Sequence, residues 1–540
     1  MRIPFVGPTY QSRSRDVNYQ VCRNYYLESD PTGKNLVALY PTPGLLRKTF
    51  SGSGPNRGNG IVFLSNAYFL INNTLWKFNG STLTSSGTIG SISGRIAMSQ
   101  NGTQLTIVDG TATGTIWNGT ALTSIADVDF PTATHVDYMD GYTIVNKVDT
   151  GRFHISALND SSAWTSTDFG TAIRNPDNLT ALAVNHRELW LFGPLTAEVW
   201  YNSGNADFPF EPIQGGFIEW GIAAPYSVAK FDNNLIWLAQ TENGGPFVVQ
   251  SNGFTPTIVS TPPLNFEFSN YGTIANAEAF TYKKGGHEFY ELTFPTENKT
   301  WLYDALTKQW TELTGSVGRH RINGIVYFNN EHWCGDYASS HVYNLDFDTY
   351  NEVLVPATTA TLSRSSGTVT ATVTAHEFIT GDDVTIRGAN QAAYNGTFTI
   401  ANVAANTFDY YIDTAPATPA TGSVTASLEK HVVRARSCQH LHKDQRRVFH
   451  HSLQVDFESG VGAVTGQGVD PTAMLRWSDD GGFTWSNNHH ASIGALGNYA
   501  TRAIWRRLGS ARDRIYEVSI SDPVKAVIIG ADLNLSMGDS

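Results

Sequence analysis

Between about Gly58 and about Asp348, short apolar runs alternate with polar residues and break every few positions at pairs such as Asn101-Gly102, Asp109-Gly110 and Asp140-Gly141. Alternation with period two marks a half-buried strand. Gly and Asn at the breaks accept the positive φ that tight hairpins need. Gly60–Gly80 reads as three short strands with turns at Ser65-Asn66, Asn72-Asn73 and Asn79-Gly80. Arg95–Thr120 repeats that order, followed by His135–Ser156, Ala181–Gly204, Ser227–Gly253, Ala277–Trp310 and Ile322–Asp348. The starts lie roughly 35 to 50 residues apart, a period that predicts propeller blades. An aromatic residue recurs near the third strand of the units, at Trp76, Trp117, Trp200, Trp301 and Tyr343. The expected architecture is a β-propeller of six or seven blades. The last unit is either a blade in its own right or the completion of the first by ring closure.

The flanking regions follow other patterns. Residues 1–46 lack periodicity, are studded with Tyr and Pro, and end at Tyr40-Pro-Thr-Pro-Gly44. They predict an extended arm ordered only by packing against another part of the fold. The propeller is expected over 47–354. Residues 355–428 are Thr-rich and alternating, with turns at Gly381-Asp382 and Asn395-Gly396 and Ala/Thr/Pro edges that read as linkers. They predict a small inserted antiparallel β module. Residues 429–540 read as a further β-rich domain, with a long strand at Val448–Ser459 and an apolar one at Val524–Leu535.

Composition narrows the class. Aromatics are 12% and charged residues 16% of the 540 positions, a mixture that favours strands and turns over helices. The net charge is -12. From Glu429 onward 13 bases face 12 acids, so the first 428 residues hold 36 − 13 = 23 bases against 48 − 12 = 36 acids. A surface of that sign repels nucleic-acid phosphates. Cys22, Cys334 and Cys438 are far apart and odd in number, which predicts reduced, buried thiols and no zinc site. The N-terminus has no apolar stretch of the signal-peptide kind, and no run approaches the roughly 18 apolar residues of a membrane span.

The chain carries no nucleotide-binding, zinc-protease, hydrolase-elbow or EF-hand motif. His450-His451 and His489-His490 are adjacent pairs. Neighbours on a strand face opposite ways, so neither pair chelates one ion. His332-Trp-Cys-Gly-Asp336 offers metal-capable atoms without a partner cluster. Met474–Trp485 brackets a Ser-Asp-Asp-Gly-Gly turn between Trp477 and Trp485, and also fits the Asp-box pattern of sialidases. That pattern occurs once, outside the repeats, and is a structural hairpin where it is found. Asp479 and Asp480 read as turn residues bonding nearby N–H groups. Glycoside hydrolysis needs positioned carboxylates or a Tyr with an acidic partner, and no such set stands out. Two Arg-rich stretches, Arg434–Arg447 and Arg502–Arg514, suit either phosphate or acidic-partner contact. Alternatively they make salt bridges with Asp444, Asp513 and Glu517.

Motifs at both ends carry a family resemblance. Asn24-Tyr-Tyr-Leu-Glu28 with Ala38-Leu-Tyr-Pro-Thr-Pro-Gly44 resembles the opening arm of the tail hub or nozzle proteins of short-tailed phages, the packaged-DNA stabilisation family. Leu475-Arg-Trp-Ser-Asp-Asp-Gly-Gly482, Ile504-Trp-Arg-Arg-Leu-Gly509 and Arg514 resemble its closing domain. The insert, through Gly381–Ile386 and Tyr394–Ile400, resembles a small β module scattered through phage structural proteins. The resemblance implies a non-enzymatic virion tail protein without cofactor, assembled in the host cytoplasm. It implies a homohexameric ring that closes the portal-adaptor channel, contacts tail fibre or tailspike proteins, and retains and then conducts double-stranded DNA. A platform built from the arm and the C-terminal region would carry the propeller. Its candidate packing residues are Tyr25, Tyr26, Pro43 and Gly44 in the arm; Trp477, Asp480, Gly481, Gly482 and Trp485 in the hairpin; and Trp505, Arg506, Arg507 and Arg514 beyond it. The competing reading is a host-surface glycan-binding or sialidase-like propeller.

Overall fold

The computed structural model describes residues 1–540 apart from 31, 33–35, 51, 173, 176, 445, 465, 539 and 540. The chain forms two compact units. One holds Thr49–Trp310 and Gly318–Tyr343; the other holds Met1–Lys48, Thr311–Val317 and Asn344–Ser540.

The first unit is a propeller with seven blades among the described residues. Blade one pairs Ile61–Phe63, Asn66–Ile71, Thr74–Phe78 and Leu83–Thr88 in antiparallel order. The first strands of the remaining blades are Ala97–Gln100, Val136–Met139, Ala181–Asn185, Ala229–Phe231, Glu278–Lys284 and Ile322–Phe328. The first strands of blades one to four touch in turn, as do those of blades five to seven. Blade seven's then touches blade one's, which closes the ring. Apolar cores lie between successive blades. Trp190 and Trp237 join blades four and five, and Phe78 packs on Trp333 at 4.3 Å between blades one and seven. The recurring aromatics all stand on third strands, and Trp301 and Tyr343 are fully buried there.

Six of the seven blades connect their first two strands by a two-residue turn with both φ positive: Leu64-Ser65, Asp140-Gly141, His186-Arg187, Asp232-Asn233, Gly285-Gly286 and Asn329-Asn330. This is the type I′ geometry, whose twist matches that of the flanking strands. In blade one the turn sits one residue earlier than the Ser65-Asn66 expected from sequence.

The ring is fastened where its ends meet. Asn56 donates to Asn323 Oδ1 and its N–H bonds the Asp336 carbonyl, each at 2.9 Å. Such close backbone approach leaves no room for a side chain on the facing strands. A Cβ on Gly324 would stand 2.0 Å from the Gly58 carbonyl oxygen, and one on Gly335 2.3 Å from Asn56 Cγ.

The second unit contains a β-sandwich and the inserted module. One sheet of the sandwich runs Ala503–Arg506, Val448–Phe457, Ile528–Met537, Val37–Pro41, Tyr25–Ser29. The facing strands Cys22–Arg23, Arg434–Ser437, Asp513–Ile520, Thr472–Ser478 and His489–Ser492 pair in that order. The arm therefore supplies strands to both layers. Ile3, Phe5, Leu453, Leu475, Val518 and Leu533 belong to the shared core. The final strand starts at Ile528 rather than at Val524, because Val524–Val527 turns on local bonds such as Val524 N–H to the Asp522 carbonyl.

The module has its own core of Val369, Phe378, Val384, Tyr394, Phe408 and neighbours. Its Ala/Thr/Pro edges are not linkers. Thr358 and Thr359 lie in a strand register with Ala426 and Thr425. Ala420 N–H bonds the Leu362 carbonyl at 3.0 Å, and the Ala417 carbonyl accepts from Tyr394 Oη at 3.1 Å.

Candidate functional site

The Ser478–Trp485 hairpin is built on one carboxylate. Asp480 Oδ1 accepts from Ser478 Oγ (2.7 Å), Phe483 N (3.0 Å) and Thr484 N (2.9 Å), and Oδ2 accepts from Thr484 Oγ1 (2.6 Å). These bonds, with Thr484 foremost, hold the Asp480 carboxyl down to about 2. Gly481 follows at φ +72, and a Cβ there would meet Asp16 Oδ1 at 2.5 Å. The hairpin thus packs on the N-terminal arm. Arg15 donates to the Gly482 carbonyl at 3.2 Å and lies over the rings of Tyr19 and Phe483, while Tyr19 contacts Trp485 at 6.1 Å.

Asp479 has a different role from the turn bonding expected of it. Arg514 grips both its oxygens, at 2.6 and 2.7 Å. The same guanidinium bonds the Leu508 carbonyl and lies over Trp477 and Tyr516. Trp477 stacks on His489 at 4.8 Å, and Trp505 Nε1 donates to the His489 carbonyl at 2.7 Å. Hence Trp477, Asp480, Gly481, Gly482, Trp485, Trp505 and Arg514 form one packed neighbourhood. Arg506 and Arg507 do not join it. They are exposed at the sheet edge, with Arg506 opposite Ser452.

The Arg-rich stretches divide. Arg434 and Arg436 are buried. Their partners are mainly carbonyls rather than the acids Asp444, Asp513 and Glu517. Arg436 Nε bonds the Phe5 carbonyl (2.6 Å), Nη1 that of Pro8 (2.7 Å) and Nη2 Gln20 Oε1 (2.6 Å). Arg434 bonds the Tyr350 carbonyl, and burial lowers its guanidinium to about 10. Glu517 pairs with Arg476, Asp513 with His440, and Asp444 with Lys443. Arg446, Arg502, Arg506 and Arg507 remain exposed.

In the arm, Tyr25 is buried and Tyr26 contacts Tyr40 and Phe347. Pro43 is buried, and Gly44 lies where a Cβ would stand 2.5 Å from the Thr349 and Asn351 carbonyl oxygens. The residue that sequence reasoning left out is Asn24. It sits buried at φ 56, donates to Thr314 Oγ1 and the Val433 carbonyl, and accepts from Thr314 N, each at 2.8 Å. A short amide tolerates the left-handed region, which explains Asn at this point of the Asn-Tyr-Tyr motif.

Among the described residues, no group of three or more His, Cys, Asp and Glu is placed to hold a metal ion. His332 donates to the Lys283 carbonyl (2.7 Å), and Asp336 pairs with Arg321 (3.1 Å). His450 is buried while His451 is exposed, as opposite faces require. All three cysteines are buried thiols, and burial raises Cys22 and Cys438 to about 11.

The propeller shaft is closed at its waist. Arg95 of blade two forms an ion pair with Glu278 of blade six and donates to the Asn323 carbonyl of blade seven at 3.0 Å. Tyr226 stacks on His135 at 4.7 Å beside them. A cavity of about 890 Å³ is lined by Val62, Asn185, Lys230, Tyr327 and others from the first strands of the blades. A shaft crossed by an ion pair gives no passage to a duplex.

A closed seven-bladed propeller and a β-sandwich that takes strands from both ends of the chain define the architecture. The chain belongs to the Bacteriophage P22 Gp10 family of phage stabilisation proteins: the family's β-propeller matches residues 1–350 and its β-sandwich residues 434–536. It is a family of non-enzymatic virion proteins. Residues 351–433, which contain the whole of the inserted module at 355–428, lie between the two matches. No curated protein matches the chain. Among solved structures, the WD40 β-propeller domain of Doa1 is similar at 9% identity and TM-score 0.35, covering 56% of this chain and 97% of that one. The extracellular domain of a hybrid two component system from B. thetaiotaomicron is similar at 11% identity and TM-score 0.40, over 62% of this chain and 47% of that one. The chain thus spans about half the length of that protein.

Proposed function

We propose that this protein is a tail hub subunit that assembles with copies of itself into a ring, closes the portal-adaptor channel, retains packaged DNA and conducts it during ejection. The observation that carries this reading is the joint match of the propeller and the sandwich to a phage stabilisation family. The arm, the hairpin at Asp480 and the strands beyond it make the platform, with 1–46 and 429–540 as its parts and 355–428 as a decoration. The partners are further copies of the chain in a homohexameric ring, together with the adaptor and tail fibre or tailspike proteins. The DNA path runs outside the propeller shaft, because Arg95 and Glu278 close that shaft. A chain with 36 acids against 23 bases over its first 428 residues suits a conduit to which DNA does not adhere. Native mass spectrometry of the protein, alone and with adaptor-bearing heads, tests the ring. A closed oligomer of defined size is expected, and a chain that stays monomeric in both samples contradicts it.

A further inference from the structure

The open end of the propeller shaft has the build of a ligand site. Its volume of about 890 Å³ falls in the range of small-molecule pockets. Arg95, Tyr226 and His135 line a separate, smaller cavity of about 250 Å³ that shares Gly60, Ile61 and Lys230 with it. Bonds between blades fix its lining. His186 Nε2 donates to the Asn233 carbonyl at 2.9 Å, and His332 Nε2 to that of Lys283 at 2.7 Å. His186 holds a bulky side chain in the left-handed region at φ 50, where Asn or Gly would cost less. Strain kept in that way is concentrated at binding and switch positions.

The lining decides the chemistry. Tyr327 is 57% exposed, with its ring 4.9 Å from that of His332. Asn185, Asn234, Thr281 and Lys230 also line the cavity. The lining charges are few, Lys230 and the Lys283–Glu288 pair at 3.0 Å. A polyanion therefore meets only a weak positive field. A sugar ring matches both halves of the wall, its C–H face on the exposed aromatic ring and its hydroxyls on amides and paired charges.

We propose that this cavity binds a saccharide of the bacterial surface, through Tyr327 as the stacking platform and Asn185 and Lys230 as hydrogen-bonding groups. Binding occurs without cleavage. Glu288 is the one carboxylate among the lining residues and is tied to Lys283 at 3.0 Å, so the cavity lacks the pair of carboxyls that glycoside hydrolysis uses. The inference stands independently of ring assembly.

The test is an array of lipopolysaccharide core, O-antigen and capsule oligosaccharides probed with the full chain, its Tyr327→Ala and Asn185→Ala variants, and Tyr201→Ala as a control elsewhere on the propeller. Thermal melts check that the variants remain folded, as expected for an exposed ring. At least one saccharide should bind the wild type and Tyr201→Ala, and bind Tyr327→Ala and Asn185→Ala at least about tenfold more weakly. No saccharide bound, binding undiminished in both pocket variants, hydrolysis of the bound sugar, or preference for an acidic peptide at the same site would each overturn the proposal.

Discussion

Asn323 returns the bond it receives from Asn56, donating through Nδ2 to the Asn56 carbonyl at 2.7 Å, so the two ends of the propeller are joined across 267 residues. This clasp depends on the missing side chains of Gly324 and Gly335. Gly335→Ala should lower stability by about 2 to 4 kcal/mol, since the Asn56 side chain it meets is pinned by its bonds to the Gly58 carbonyl and Asn323 and can yield only by breaking them. Gly90→Ala, with open space around it, should be close to neutral. Urea unfolding of the two variants compares them directly.

Arg436 ties the arm to the sandwich through the Phe5 and Pro8 carbonyls and Gln20. Arg436→Met keeps the apolar stem and removes the donors. It should cost about 3 to 5 kcal/mol and free the arm, because buried carbonyls are left unpaired. Limited proteolysis within the first twenty or so residues should become fast in the variant and stay slow in the wild type.

The inserted module begins and ends on paired strands, Thr359 beside Thr425. Replacing residues 360–424 by a short Asn-Gly turn should therefore leave the sandwich folded and ring assembly intact. If the module serves host contact, adsorption of the phage falls while particle yield holds. Loss of assembly would instead make it part of the platform.

Stability should fall on mild acidification. Burial holds His135, His154 and His450 down to about 4, below the ordinary 6.5. In the unfolded chain these rings take up protons near 6.5, so their contribution is full above that pH and is lost as the pH falls toward 4. His440 runs the other way: its bond to Asp513 raises it, and its smaller contribution is lost as the pH climbs through its folded value. Urea midpoints should drop between about pH 7.5 and about pH 5, and His450→Phe should flatten part of that slope.

Much of the propeller was legible in the chain. The seven units and the third-strand aromatics follow from period-two alternation and from turn residues that announce themselves. The outer strands, such as Leu83–Thr88 and Thr255–Ile258, did not show, because they are largely solvent-exposed and polar and give little apolar contrast. The helix Pro262–Ser269 was hidden for the same kind of reason, burying only Leu264 and Phe268. In the candidate site, the hairpin could be read because Asp480 and Gly481 work locally. The Arg514–Asp479 grip and the arm contacts of Arg436 join residues 35 and more than 400 positions apart, which no local pattern encodes. Asn24 shows only in part: Asn is enriched among left-handed residues, but its partners Thr314 and Val433 lie 290 and 409 positions away.

The central claim is that this chain holds packaged DNA in the particle. Its most direct measurement is the nuclease-protected DNA of phage heads assembled without the chain, before and after the purified protein is added. Heads without it should lose their DNA to nuclease, and addition of the wild type during assembly should restore protection. Full protection in its absence would contradict the account.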